Sequence, residues 1–378
     1  MMTIPSTLDP DSLRSAGMQY VRSSRRFIDE ATPSELATVL LSSLSLIAAF
    51  IGFLLVSSWT VVPFAVFLIA TGYGWAKHQG LMARALTLSM TISTLVILGL
   101  IIVFIFLRAW PALQYGSAEV FGLNVPGLRM FIQTRWNAAA DPIRYSMLPM
   151  IHGTVMVTII ATLVAGPLGV AAALFLSEIA PGVVRETVKP AVEILAGIPS
   201  IVYGFIGFTV LSPWASDQFD LVGQGTYLFV GIVVGLMALP TVVSVAEDAL
   251  TSIPESMKSG SLALGTTDWQ TMTSITLPAA FSGVSAAVLL GVGRAIGETM
   301  AATVMLRNNP TIPDPIFNVF YGYETLTSLV AANYGEATGI QMNALFVAGV
   351  ILFITVLFIS IGSQLIEARM EQKLGGVE

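Results

Sequence analysis

Apolar residues in this chain neither alternate with polar ones nor recur at every third or fourth position; they run on in long blocks. Leu36 to Ala76 is 41 residues without a charge, about twice the ~20 that one helix needs to cross a bilayer. The block predicts a tight hairpin of two helices, with Ser57, Ser58 and Thr60 in the turn and Pro63 near the start of the second. Six further spans are predicted at Ala85 to Leu107, Pro149 to Leu176, Ala191 to Leu211, Gly223 to Ala246, Ala279 to Leu306 and Met342 to Ile366. The first apolar run starts only after Glu35 and simply continues, which does not fit a cleavable leader. Composition agrees: of 378 residues 55% are hydrophobic and 11% charged, against about 25% charged in soluble domains. The fold class expected is an all-α integral membrane protein with eight spans.

Basic residues flanking short loops orient such a chain. Eleven fall on one side, namely Arg14, Arg22, Arg25, Arg26, Lys77, Arg84, Arg185, Lys189, Lys258, Arg369 and Lys373, and five on the other, Arg108, Arg129, Arg135, Arg144 and Arg307. Both termini are therefore expected in the cytoplasm. Arg294, the remaining basic residue, sits inside a span. Two long external segments, Arg108 to Met147 and Arg307 to Gln341, are rich in Trp, Tyr, Asn, Pro and Gly, and loops of this length cap or dock something. Glu247 to Pro278 is a long segment on the cytoplasmic side.

Several chemistries are excluded by what the chain lacks. Cysteine is absent, which removes disulfides, thiolate metal sites and Cys nucleophiles. The two histidines, His78 and His152, are too far apart in sequence for an HExxH-type metal pair. A net charge of −6 argues against a nucleic-acid surface. No lysine follows a glycine, since Ala76, Val188, Met257 and Gln372 precede the four of them, so the chain has no Walker A loop. If ATP drives transport, the engine is another subunit docked on a cytoplasmic loop.

Three constellations remain. The first lies in the Glu247 to Pro278 segment: Ser259-Gly260-Ser261-Leu-Ala-Leu-Gly265, then Ile275-Thr-Leu277-Pro278 directly before a span. It reads as a short amphipathic helix, a Gly turn and a second helix stopped by Pro278, either a knob for a groove on a partner or an amphipathic interfacial helix. The second is Arg294 with Glu298, four apart and so on one helix face, well along the seventh span. Ionisable groups at membrane depth cost at least ~2.5 kcal/mol each, so they pair, face the interior or line a pathway. One reading is an anion gate, in which the Arg294 fork suits a tetrahedral oxyanion and Glu298 neutralises it when empty; the other is a helix-packing ion pair. Gly293 and Gly297 would serve close helix contact under either. The third is Leu195 to Gly207, where Gly197 and Pro199 predict a kinked, pathway-lining helix, with Pro240 doing the same in the next span. Gly231 and Gly235 form a small-residue face there.

These blocks together resemble one family. Glu193 to Gly207, Ser259 to Pro278 and above all Gly291-Val-Gly-Arg294-Ala-Ile-Gly-Glu298-Thr-Met-Ala301 are similar to the phosphate ABC transporter permease subunit of the PstC type. Thr134-Arg-Trp136-Asn137, Leu148-Pro149 and Phe175-Leu-Ser-Glu178-Ile-Ala-Pro181 occur in matching order. The Ser259 to Pro278 spacing resembles the EAA loop that couples importer permeases to their ATPases, with Ser259-Gly260-Ser261 where that family has Glu-Ala-Ala. The resemblance covers about residues 84–378. It implies a six-helix type I importer core with coupling loop 247–278, preceded by a cytoplasmic tail (1–35) and an extra hairpin with its linker (36–83). It further implies a homologous second permease, a dimer of ATPase subunits holding ATP and Mg, and an extracytoplasmic phosphate-binding protein. The chain itself would bind no cofactor and would sit in the inner membrane of a prokaryote. Arg294 and Glu298 fall on the family's charged pair in the translocation path, and Gly265 on its coupling-loop glycine. A secondary anion transporter and a membrane enzyme are the rival classes; the first leaves the Gly265 loop without purpose, and the second finds little chemistry here.

Overall fold

The computed structural model describes residues 32–138, 140, 143–221, 225–306 and 312–373, with side chains through Leu365. Residues 1–31 of the expected N-terminal tail, with its Arg22, Arg25 and Arg26 cluster, and the last five residues lie outside the described residues. Two compact units are present, Met1–Val103 and Phe104–Glu378. The division falls inside a continuous helix, whereas the sequence places a domain boundary at residue 84.

In the first unit, α1 (Pro33–Leu54) starts in a capping box. The Thr32 hydroxyl accepts from the Glu35 amide, and the Glu35 carboxylate accepts from the Thr32 amide at 2.8 Å. A 3-10 turn at Ser58–Thr60 leads into α2 (Val61–Lys77), so the predicted hairpin forms with its turn where the polar triplet stands. The Ser42 and Thr71 hydroxyls join the two helices at 2.8 Å. His78 lies 3.4 Å from Glu35 at the base of this hairpin. Next comes α3 (Gln79–Tyr115), whose 37 residues make about 55 Å of helix, well beyond a ~30 Å hydrocarbon core.

The second unit begins with the end of α3 and a small cap of two short ladders and a helix. Strands β1 (Ala118–Val120) and β2 (Leu123–Val125) pair antiparallel, α4 (Leu128–Ile132) follows, and β3 (Trp136–Asn137) pairs antiparallel with β4 (Arg144–Tyr145). Trp136 and Tyr145 face each other across that ladder with ring centroids 5.0 Å apart. They enter a core with Met130, Met147, Met150, Leu326 and Leu345.

From there the chain is helical: α5 (Leu148–Leu174) with a π turn at Phe175–Ile179, α6 (Gly182–Gly197), α7 (Ser200–Ile206), α8 (Ser212–Phe219), α9 (Tyr227–Thr251), α10 (Glu255–Ala263) and α11 (Asp268–Thr271). After a π turn at Met272–Thr276 come α12 (Leu277–Ala279), α13 (Phe281–Gly297), α14 (Met300–Met305), α15 (Leu326–Asn333) and α16 (Gly339–Lys373). Among the described residues six helices are long and apolar enough to cross a membrane singly, and two further pairs qualify only as bent units. The fold is that of a multi-pass, all-α membrane protein.

Those bent units correct two predicted spans. Ala191 to Leu211 is not one kinked helix: α6 ends at Gly197, Ile198 is extended (φ −69°, ψ 126°), and the following helix departs at 88°. Pro199 explains the break, since it excludes the residue before it from helical geometry and carries no N–H of its own. Ala279 to Leu306 likewise breaks, at Glu298 (φ −67°, ψ 122°). Pro278 does not itself stop the coupling-loop helix: the helical run Asp268–Ala279 continues through it and ends one residue later. The 72° bend comes between α12 and α13, at Ala280.

Close approach of α5 and α9 forms the centre of the unit. A Cβ built at Gly231 would stand 2.5 Å from Ile160 Cβ, and one at Gly235 would stand 2.8 Å from Val164 Cβ. Only glycine admits such contact, so the small-residue face read from the sequence is the packing seam. Pro240 lies inside α9, which continues through it as helix, buried at the same interface.

Candidate functional site

Arg294 projects from the last turn of α13 into a cavity of about 630 Å³. Apolar residues of α13 and α16 make most of the wall, and Thr241 of α9 with Ser360, Ser363 and Gln364 of α16 supply its other polar side chains. The guanidinium Nη1 donates to Thr241 Oγ1 at 3.3 Å. Among the described residues Arg294 makes no ion pair.

Glu298 does not neutralise it, which corrects the one-face expectation. Since α13 ends at Gly297, the i,i+4 relation lapses one residue before Glu298 is reached. Its carboxylate Oε1 instead accepts from the Ala301 amide at 3.1 Å, satisfying one of the orphan donors of α14. Its backbone carbonyl accepts from Thr327 Oγ1 at 2.7 Å, so the short helix α15 is seated on the break itself. Gly293 and Gly297 make no close helix contact within the chain, since a Cβ at either would meet nothing within 4 Å. Gly197, Pro199 and Pro240 do not line the Arg294 cavity. Gly204 instead brings α7 against α14, where an added Cβ would lie 2.7 Å from Ala301 Cα.

The Gly265 loop is built as a compact knob. Gly265 has φ +88° and donates to the Leu262 carbonyl at 2.9 Å, closing α10 in the left-handed conformation that glycine adopts most cheaply. The hydroxyls of Ser261, Thr266 and Thr271 form a triangle of hydrogen bonds (2.8, 2.9 and 3.2 Å) that holds α10 against α11. Thr267 and Gln270 add a capping box at the start of α11. Leu264 and Trp269 are left largely exposed at the tip. Ile275 lies in the π turn that follows, and Leu277 opens α12.

With this geometry in view, the comparisons are informative. The profile described as "Binding-protein-dependent transport system inner membrane component" matches residues 165–372, more than half of the chain. The chain belongs to this family. Among curated relatives, the probable ABC transporter permease YqgH of Bacillus subtilis is 40% identical over 246 residues, covering 61% of this chain and 78% of the relative. The phosphate transport system permease PstC of Pasteurella multocida is 33% identical over 296 residues, covering 73% of this chain and 90% of that protein. A solved bacterial alginate ABC transporter, in complex with an alginate pentasaccharide-bound periplasmic protein, superposes with a TM-score of 0.52 at 14% identity. That match covers 80% of this chain and 98% of the other, and it supports the fold alone.

As family members, the knob and the Arg294 cavity acquire a common frame. Thr241, Ser360, Ser363 and Gln364 are the site residues that sequence reasoning missed. Ser360 and Gln364 are four apart on α16, a signal available in the sequence but masked by the apolar run around them.

Proposed function

We infer that this chain is the membrane-embedded permease subunit of an ATP-driven importer of inorganic phosphate. One observation carries the substrate class: a guanidinium without a carboxylate partner among the described residues, hydrogen-bonded to a hydroxyl, faces a roomy cavity between three membrane helices. A planar fork with a neighbouring hydroxyl suits a tetrahedral oxyanion, whose charge relieves the cost of leaving Arg294 unpaired. The names of the PstC relatives support phosphate within that class.

The transport cycle follows from family architecture. A binding protein delivers phosphate to the outer mouth, a homologous second permease completes the path, and two ATPase subunits holding ATP and Mg grip the knob around Gly265. The exposed Leu264 and Trp269 give the knob an apolar tip that fits such a groove. Closure of the ATPases shifts the knobs and alternates the access of the path. On this reading residues 84–378 form the permease core with coupling loop 247–278, residues 36–83 form an additional hairpin with its linker, and both termini face the cytoplasm of a prokaryotic cell.

The test is uptake in proteoliposomes after co-expression with the neighbouring permease, ATPase and binding-protein genes. Binding-protein-stimulated ATPase activity with phosphate uptake is the expected result, and Arg294→Gln should abolish uptake while the complex still assembles. Uptake without an ATPase would make the chain a secondary transporter, and stimulation by another oxyanion would reassign the substrate.

A further inference from the structure

The knob is tied to the membrane helices by one ion pair that nothing in its local sequence announces. Lys258, on α10, is buried, and its Nζ lies 2.8 Å from Glu178 Oε1. Glu178 sits 80 residues earlier, in the π turn that ends α5. Both side chains are largely withdrawn from solvent, with 11% and 14% exposure. Glu255, one turn before Lys258, is a second and looser partner at 3.5 Å, and is itself exposed.

The anchor point is held independently. Arg185 of α6 donates from Nε to the Leu176 carbonyl at 2.7 Å and from Nη2 to the Ser177 carbonyl at 2.6 Å. These are carbonyls of the same π turn, so the backbone that carries Glu178 is clamped from one side while Lys258 pulls from the other. On the knob, Lys258 stands one turn before Ser261 of the hydroxyl triangle. A displacement of α10 therefore reaches Glu178 through a short, rigid route, and Glu178 terminates the helix whose far packing partner is α9. That helix carries Thr241, which holds Arg294.

We propose that the Lys258–Glu178 pair is the latch that transmits movement of the coupling knob to α5, and so to the Arg294 cavity. This rests on the importer reading above. Ser259 at the head of the loop carries no charge, while the charge of its neighbour Lys258 is turned inward onto the chain's own α5 turn. Lys258 and Glu178 are positioning residues; neither touches the substrate cavity.

The measurement is phosphate transported per ATP hydrolysed, in proteoliposomes holding the complete complex, for wild type, Glu178→Gln, Lys258→Met, the double neutral variant and the reversed pair E178K/K258E. Each neutralisation should lower the ratio at least about fivefold, the lower end of ordinary coupling strengths, with ATPase subunits still bound and ATP still hydrolysed. The double neutral variant should lose no more than either single one, because both remove the same link and the double leaves no uncompensated charge. The reversed pair should bring the ratio back toward wild type. Unchanged ratios in the single variants, or losses that multiply in the double, would overturn the latch. If the single variants fail to assemble, the reversed pair decides: recovered assembly and uptake support the latch, and failure of both refutes it. A wild-type complex that retains no ATPase, or takes up phosphate without one, would instead overturn the importer reading, and the latch with it.

Discussion

Glu324 offers a quantitative test of the packing around α15. It lies in the segment that leads into α15, is 3% exposed, and neither carboxylate oxygen has a hydrogen-bond partner among the described residues. The segment is held tightly all round: the Leu326 amide donates to Thr154 Oγ1 at 3.0 Å, and the Glu324 carbonyl is pressed against Gly153 of α5. Burial in this setting raises the carboxyl from 4.5 to about 7. At 1.36 kcal/mol per unit the rise amounts to about 3 kcal/mol. Its sign is definite. Between pH 4.5 and 7 the folded state holds a proton that the unfolded state has lost, so this stability is fully present below about pH 4.5 and disappears as pH rises through about 7. Glu324→Gln is neutral in both states and should remove the slope. With roughly 2 °C per kcal/mol for a unit of this size, the wild-type thermal midpoint in detergent should fall by about 6 °C more than that of the variant between pH 5 and pH 8.5. The assay is tryptophan fluorescence melting of the two purified proteins across that range. Parallel profiles would refute the argument, since they would mean that Glu324 ionises at its ordinary pH or finds a partner when charged.

The other expectations are simpler. Gly265→Asp should weaken ATPase association or coupling, with a backbone cost of about 1 to 2 kcal/mol at φ +88°; the cause is conformational and not crowding, because an added Cβ there meets nothing within 4 Å. Co-purification of the ATPase with the variant checks this, and Gly265→Ala should show the same defect. Gly231→Leu drives a side chain into Ile160 at the α5 to α9 seam, so a loss of at least 1 to 3 kcal/mol is expected and the purified yield of folded protein should collapse. Gly197→Ala, at a glycine with ordinary backbone and open surroundings, should leave both yield and uptake unchanged.

The membrane class, the hairpin at Leu36 to Ala76 and the order of spans were legible because long apolar runs have few physical interpretations. The knob was legible for a different reason: a glycine that must take positive φ between two amphipathic turns leaves a spacing in the sequence. Breaks inside spans were only half visible. Pro199 marks one, but nothing in Gly297-Glu298-Thr299 distinguishes a helix interior from a helix end, since the cap depends on Thr327 of a distant segment accepting a position over the break. Long-range pairs were invisible. Lys258 with Glu178 and Arg294 with Thr241 are partners across 80 and 53 residues, and a single sequence carries no distance information at that range.

The break at Glu298 changes the energetics of the Arg294 site. Had α13 continued, Glu298 would stand beside Arg294, and an entering oxyanion would have to displace a bound carboxylate, exchanging one charge-assisted contact for another with little net gain. In the broken helix the carboxylate is occupied by the Ala301 amide, which it caps, and Arg294 has a neutral hydroxyl, that of Thr241, as its hydrogen-bond partner among the described residues. An unpaired guanidinium at membrane depth is costly, by about 2.5 to 3.5 kcal/mol on insertion scales. On the proposed reading, an oxyanion beside Arg294 would relieve that cost. The same capping ties the position of Glu298 to α14 and, through Thr327, to α15, so any shift of either helix moves this carboxylate.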